Sequence, residues 1–505
     1  MQEFLKKQKF WRNVKRINKK TTNESLKYSI KDGSAYSVMN GFGRDYLSTF
    51  AVALSATNTH LAFLNSLPTL ISSIFQLYAA KITDYTGQRM KIILKAILLQ
   101  ALNWLPLFLL PILFQKYSHG FSLIFLIFFV TVSYVLEAMT IPAWNSLMGD
   151  IVKENERGRY FGLRNKITGS VAFASVVIAG LILSLFEGIN IWIGFGILFS
   201  VACIARLISY QYMKEIYEPK YKIALKKKYN IIQFMRSMKE TNFGRFVNFN
   251  AIFKFVVNIA SPFFVPFLLL NAGFSYLQLT IALSAATVSS FLVMLYWGRN
   301  ADVFGNKKIM IVCGLLIPLI PLLWVINHSF YFIIFVQCLS GFVWSGYNLA
   351  SSNFIFDTVS PEKRARGVAF YNLAWGIAVF VGSMIGAFLS NVFPAKGIGF
   401  MINSNYEMIF LISAILRFTA MAVYMNRFKE VRKVEPADVH VLFFKLVAVR
   451  PLSGMVVSAV GSLDFTYKQV KKHYKKPYEF TSKHLSKPYE FVKKNVHFDE
   501  LLKGK

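Results

Sequence analysis

Acidic residues are scarce in this chain, with 25 Asp and Glu against 57 Lys and Arg in 505 residues, and charged residues of both signs together make up only 16%. Soluble globular domains carry roughly a quarter charged residues; here 55% of positions are hydrophobic and 16% aromatic, which excludes an ordinary water-soluble enzyme or binding domain. Cysteine is nearly absent. Cys203, Cys313 and Cys338 all fall inside apolar runs, make neither a metal spacing nor a disulfide framework, and read as small core residues. The seven His are scattered, so no metal cluster is expected, and no phosphate-cradling Gly-rich loop or ATPase pair occurs. No enzyme activity and no cofactor are therefore expected. The first 35 residues are basic and polar without an apolar core, so no cleavable secretion signal is visible.

Long apolar runs take the place of what is missing. A helix needs about 20 apolar residues to cross about 30 Å of hydrocarbon. Such runs are predicted at 36–57, 59–81, 92–114, 121–149, 160–186, 189–213, 243–270, 274–298, 307–327, 330–356, 366–392 and 405–428. They are too long for barrel strands and lack strict alternation, and a helix satisfies its own backbone in lipid. An all-α membrane protein with twelve transmembrane helices is expected.

The bases set the expected orientation, because Lys and Arg beside helix ends are retained on the cytoplasmic side. Connections 57–59, 115–120, 187–188, 271–273, 328–329 and 393–404 hold almost no bases beyond Lys116 and Lys396. The others carry Lys81, Arg89, Lys91, Lys153, Arg157, Arg159, Lys226–Lys228, Lys307 and Lys308, which places both termini in the cytoplasm. The net charge of +32 is accounted for by orientation and attraction to anionic membrane lipids, at about 1 kcal/mol per juxtamembrane base, and no nucleic-acid partner is expected.

A short charged loop occurs twice. Ala80-Lys-Ile-Thr-Asp84-Tyr-Thr-Gly87-Gln-Arg89-Met-Lys91 and Gly298-Arg-Asn-Ala-Asp302-Val-Phe-Gly305-Asn-Lys307-Lys308 share one frame, with the Asp residues 218 positions apart (302 − 84). A second pair follows: Asp150 with Arg157 and Arg159, and Asp357 with Arg364 and Arg366, offset by 207 (357 − 150). Two related halves are predicted, 36–213 and 243–428, joined by a basic cytoplasmic linker at 214–242. Flanking them are a basic amphipathic segment at 1–35 and a basic tail at 429–505 that repeats Lys-Pro-Tyr-Glu-Phe at 476–480 and 487–491. Both suit the inner leaflet, although Pro477 and Pro488 argue against one continuous helix, and a disordered tail fits the composition equally.

Twelve helices in two sixes, the basic linker and the G-x-x-x-D-x-x-G-x-R/K loop after the second and eighth runs resemble the major facilitator superfamily. Ala80 replaces the usual Gly, and Tyr85 and Val303 the usual Arg, in the two loops. The resemblance implies a monomeric, bacterial inner-membrane transporter of a small organic solute, working by alternating access. Energy would come from a gradient, the proton being the expected coupling ion. It does not extend to subgroup marks: the Gly-Pro pair of many drug exporters and the sugar-porter signature are absent. A lipid or lysolipid flippase, and a non-transporting membrane scaffold, are the alternatives.

In such an architecture Asp84 and Asp302 can cap helices of the opposite half, and Arg89 and Lys307 or Lys308 can pair with Asp150 and Asp357. With Gly87, Gly305, Arg157, Arg159, Arg364 and Arg366, these residues are expected to form a cytoplasmic gate that makes and breaks between two states. Ionisable groups inside spanning helices are functional candidates, because inserting them costs about 2.5–3.5 kcal/mol. The expected pairs are Glu137 with Lys254 and Asp45 with Arg164, Glu137 being the candidate proton carrier. Asn145, Gln337, Trp344 and Tyr347 are expected to line the site, and Arg206 and Arg417 to snorkel to the interface.

Overall fold

The computed structural model describes residues 2–116, 119–153, 156–219, 241–359, 364–394, 396, 402–432 and 434; side chains are described from residue 21 onward, except at 80, 81, 84, 111–116, 119, 120, 158 and 364–366. The Lys-Pro-Tyr-Glu-Phe repeats, most of the predicted linker and the Asp84, Arg364 and Arg366 side chains lie outside the described set.

The first half comprises α1 (Gln2–Phe42), α2 (Leu47–Ala53), α3 (Asn58–Thr86), α4 (Arg89–Leu102), α5 (Trp104–Lys116), α6 (His119–Ile151), α7 (Arg157–Glu187) and α8 (Ile191–Lys214). The second comprises α9 (Asn242–Asn258), which continues through 3-10 and π turns to Asn271, then α10 (Tyr276–Phe304), α11 (Asn306–Leu316), α12 (Leu319–Ile326), α13 (Phe330–Thr358), α14 (Arg364–Val392) and α15 (Asn405–Tyr424). Polar caps fix several starts. Thr57, Asn190, Thr241 and Ser404 accept backbone N–H bonds at the heads of α3, α8, α9 and α15, and Ser275 with Gln278 forms a capping box on α10.

Among the described residues eleven helical spans have the length and apolarity to cross a membrane, coinciding with the second to twelfth predicted runs. The first run differs. Its helix breaks after Phe42, passes through a 3-10 turn at Arg44–Tyr46 and resumes as α2. It also begins well before residue 36. Ser25, Ser29 and Asp32 are buried, Ser25 accepting the Tyr217 N–H at 3.0 Å. Hydropathy alone hides this extension, because the buried positions are polar, the Ser25 and Asp32 side chains finding partners inside the bundle instead of in water.

The duplication is visible in the packing. In the first half α1 packs on α7 and α8, α3 on α6, and α4 on α6 and α8; in the second α9 packs on α14 and α15, α10 on α13, and α11 on α13 and α15. Each contact of one half has its counterpart in the other, so the fold is two pseudo-symmetric six-helix bundles. The halves meet through α3 against α14 and α7 against α10.

Closure between them is concentrated at the base-poor end. Tyr46 bonds Thr280 at 2.9 Å, Tyr406 donates to Asn58 at 2.7 Å, and Asn391 donates to Thr59 at 3.3 Å. Apolar packing follows the same seam: Ala62 joins the core of the second half, and Tyr276 meets Phe195 edge-on in the first. A further bond, Asn372 to Gln76 at 2.9 Å, lies 18 residues beyond Asn58, about 27 Å along the axis of α3.

Candidate functional site

At the base-rich end each half builds a charged clasp, but within itself. Arg89, fully buried at the head of α4, places one nitrogen 2.6 Å from Asp150 and 3.2 Å from Ser146 on α6, and another 3.0 Å from the Pro219 carbonyl. Glu218, just past α8, accepts the Met90 N–H at 3.3 Å and stands 3.6 Å from Arg89. A carboxylate there offsets the positive end of α4. In the second half Glu430, just past α15, accepts the Lys307 N–H at 2.7 Å and so caps α11 in the same way.

The partner of Asp357 corrects the sequence expectation. Arg432 grips Asp357 through two bonds at 2.8 and 3.0 Å and reaches Asp302 at 3.2 Å, while Asn306 donates to Asp357 at 2.7 Å. The bond to Asp357, above all, raises the Arg432 pKa, and the cation persists. Lys307 contributes its backbone N–H and rests its ammonium 5.5 Å from the Phe428 ring. A guanidinium forks onto a carboxylate in a way an ammonium cannot, and the chain beyond residue 428 folds back to supply one. Asp302 therefore engages its own half, not a helix of the opposite one. The clasps tie helix ends together inside each bundle.

The glycines of the repeated loop have a backbone cause. Gly87 ends α3 with φ +63°, a left-handed C-cap. Gly305 has φ +91°, and a Cβ there would stand 2.6 Å from the Glu430 carboxylate. Both loops turn sharply between antiparallel helices, and in the second the cap also needs the space. Arg157 donates to the Gly149 carbonyl at 2.9 Å at the end of α6, and Arg159 is exposed.

Midway through the first half lies a connected set of charges. Glu137 on α6 accepts the Tyr36 hydroxyl at 2.5 Å and pairs with Arg44 at 2.5 Å, and the Arg44 guanidinium lies 3.9 Å from the Tyr134 ring centre. Glu137 thus pairs with Arg44, not with Lys254. Tyr36 joins this pair to a second: its ring lies 4.9 Å beneath the Arg206 guanidinium. Arg206 donates to Gln100 at 2.8 Å and Ser209 at 2.9 Å, and Ser209 donates to Asp32 at 2.6 Å. A cavity of about 10 Å³, room for a single water, is lined by Asn40, Arg44, Gln100 and Ser133 among others. Arg164 likewise does not meet Asp45; it bonds the Ser29 carbonyl at 3.4 Å and stacks 4.6 Å from Trp144. Asp45 is exposed in the 3-10 turn.

Among the described residues the second half carries cations without acids at this depth. Lys254 on α9 stands 4.6 Å from the Trp344 ring and 5.1 Å from that of Trp375. Arg417 is buried and bonds Ser413 at 3.1 Å and the Val257 carbonyl at 3.2 Å. Arg206 and Arg417, 3% and 2% exposed, do not snorkel; inward acceptors hold both guanidinium groups. Tyr347 and Gln337 are buried, Tyr347 donating to Asn250 at 3.0 Å, so they belong to the packing of this half. Asn145 is exposed on α6. The expected site residues thus divide: Lys254 stands against Trp344, Glu137 lies with Arg44 and Tyr36, and Tyr347 and Gln337 are buried in the second half. Asp32, Tyr36, Arg44 as the partner of Glu137, and Arg432 were not anticipated; Trp375 was, like Trp344, expected to line a cavity. A polar face repeating at 25, 29, 32 and 36 with helical spacing was the available signal for the first two.

Two matching six-helix bundles that close on each other at one end, around a charged central layer, define a multi-pass membrane transporter. The chain belongs to the Major Facilitator Superfamily, whose sequence profile matches residues 34–240 and 246–478. Among curated relatives, the multi-drug resistance efflux pump PmrA of Streptococcus pneumoniae is 27% identical over 154 residues, 29% of this chain and 38% of the pump. The uncharacterized transporter BU588 of Buchnera aphidicola is 25% identical over 114 residues, 23% of this chain and 28% of that protein. The chain therefore matches between about a quarter and two fifths of the length of these relatives. Among solved structures, a mutant form of the nucleoside transporter NupG superposes with a TM-score of 0.64 at 13% identity, covering 80% of this chain and all of that one. A D-xylose–proton symporter gives 0.62 at 12% identity, covering 82% of this chain and 99% of its own. Identities this low establish the shared fold alone.

Proposed function

We propose that this protein is a secondary active transporter of the bacterial inner membrane that carries a small organic solute by rocking its two halves about the central layer. The base-rich end is taken as cytoplasmic by the positive-inside rule. The carrying observation is the asymmetry of closure. Tyr46–Thr280, Asn58–Tyr406 and Thr59–Asn391 seal the halves at the base-poor end, while the charged clasps at the other end stay within each half. We read this asymmetry as a site that faces the cytoplasm once the Gln76–Asn372 contact parts, and transport requires the opposite seal to form in turn.

Coupling to protons is assigned to Glu137. In this state Arg44 and Tyr36 both contact its carboxylate, beside the helix break at Gly43–Tyr46. Protonation removes the charge that Arg44 answers, frees the guanidinium and biases the break, a local switch on a two-state element. The clasps act as rigid ends that let each bundle move as a body. The basic terminal segments engage anionic lipids, and the unit of transport is the monomer. A non-transporting scaffold has no use for paired charges in the central layer. Uptake of a labelled metabolite mixture into proteoliposomes is expected to yield at least one accumulated solute, and more of it with an imposed pH gradient. Equal content in protein-free vesicles contradicts transport; uptake indifferent to the gradient contradicts the coupling.

A further inference from the structure

We infer that the carried solute is an organic anion, its carboxylate or phosphate received by Lys254 between Trp344 and Trp375. The inference rests on the transport reading above and names the class of solute for that same gap.

The charge inventory of the central layer is the first support. In the first half Arg44 pairs with Glu137, and Arg206 is tied through Ser209 to Asp32, one acid to each of these bases. The second half brings Lys254 and Arg417, and its described acids, Asp302, Asp357, Glu407 and Glu430, lie toward or past the helix ends. Arg417 is close enough for its charge to act on Lys254. Among the described residues no acid of the second half answers these two cations at their depth.

Geometry is the second. Among the described residues no carboxylate lies within salt-bridge range of Lys254; two indole faces, at 4.6 and 5.1 Å, are what it has. The two cation–π contacts offset part of the cost of inserting the ammonium and hold it in place. They leave its N–H donors without acceptors, because a ring face accepts them weakly. An anion supplies those acceptors, a neutral solute does so poorly, and a cation is repelled.

Access is the third. Lys254, Trp344 and Trp375 come from three helices, each near its middle. Trp375 is 38% exposed, and Asn372 and Gly376, on the same face of α14, contact Gln76 and Ser73 of the other half. The cage therefore opens onto the gap between the bundles, where an alternating-access protein holds its load.

The test uses matched pairs that differ in charge: benzoate and benzamide, succinate and succinamide, glutamate and glutamine, glycerol 3-phosphate and glycerol. Each is added to the full-length protein in phosphatidylcholine nanodiscs, read by tryptophan fluorescence and thermal midpoint. At least one acid is expected to respond where its neutral partner does not. In Lys254→Gln its affinity falls about ten- to a hundredfold, the range of a charge-assisted hydrogen bond, and Lys254→Arg retains it. Trp375→Phe, which keeps the lysine, is expected to weaken binding less. A response needing added phosphatidylglycerol assigns the same anion site to a lipid headgroup. Binding confined to neutral members, binding unchanged in Lys254→Gln, or no response to any acid overturns the inference. Counterflow separates the two readings: flux of neutral solutes insensitive to Lys254→Gln sinks the anion assignment alone, and anion binding without flux sinks transport alone.

Discussion

Replacing Glu137 by glutamine is expected to abolish pH-gradient-driven accumulation and to destabilise the first half by about 3 kcal/mol, the lower end for breaking a buried ion pair. Glutamine preserves the shape and can still accept the Tyr36 hydroxyl. What it removes is the charge facing Arg44, whose guanidinium then keeps only the Tyr134 ring at 3.9 Å. The side chains of Arg44 and Glu137 are 24% and 20% exposed, so water relieves part of the cost. Neutralising both, with Arg44→Gln and Glu137→Gln together, is expected to recover the thermal midpoint while coupling stays lost. Downhill counterflow should persist in the double variant, because it needs a site and a rocking motion but no proton. A Glu137→Gln protein that folds normally and still accumulates solute against a gradient would move the coupling to another buried acid, with Asp32 the next to examine.

The second large effect concerns two residues that the repeated loop makes equivalent. By sequence frame Arg89 corresponds to Lys307, yet the structure predicts opposite sensitivities. Arg89→Ala removes a fully buried cation that holds Asp150, Ser146, the Pro219 carbonyl and Glu218. The loss is expected to approach about 3 kcal/mol and to slow turnover, because the ends of α4, α6 and α8 no longer move together. Lys307→Ala leaves its backbone bond to Glu430 intact and should cost less than about 0.5 kcal/mol, the usual range for surface substitutions. The functional counterpart of Arg89 is Arg432. Because Arg432 is 35% exposed, Arg432→Ala is expected to cost only about 1 kcal/mol. Thermal midpoints of the three purified variants decide the matter. Equal losses for Arg89→Ala and Lys307→Ala would show that the sequence frame, not the observed contacts, assigns these roles.

The architecture was legible because hydrocarbon imposes length and apolarity on eleven of the twelve crossings, and duplication left matching loops at fixed offsets. The first crossing was misplaced at its start. Ser25, Ser29 and Asp32 are polar, and hydropathy counts them as exposed although they are buried. Counting along the helices set Glu137 and Lys254 at a similar expected height but could not choose their partners. Register along an axis constrains height alone, and Arg44, adjacent to a carboxylate in sequence, reaches a different one across the bundle. Arg206 and Arg417 read as snorkelling because a hydropathy profile does not register the carbonyls, hydroxyls and amide that satisfy them inside. Arg432 was hidden for the same reason that it matters: it lies past the last apolar run, in what composition marks as tail.

One experiment bears most directly on alternation itself. Thr59 and Asn391 touch across the base-poor seal at 3.3 Å, and the native Cys203 and Cys313 are buried. Cysteines placed at 59 and 391, with half-buried Cys338 replaced by alanine, allow that seal to be locked by oxidation and released by reduction. Proteoliposome uptake should stop in the oxidised double-cysteine protein, return on reduction, and stay unaffected in either single-cysteine form. Full-rate transport by protein shown to be cross-linked would contradict the account, since no solute could then have passed the end the structure holds closed.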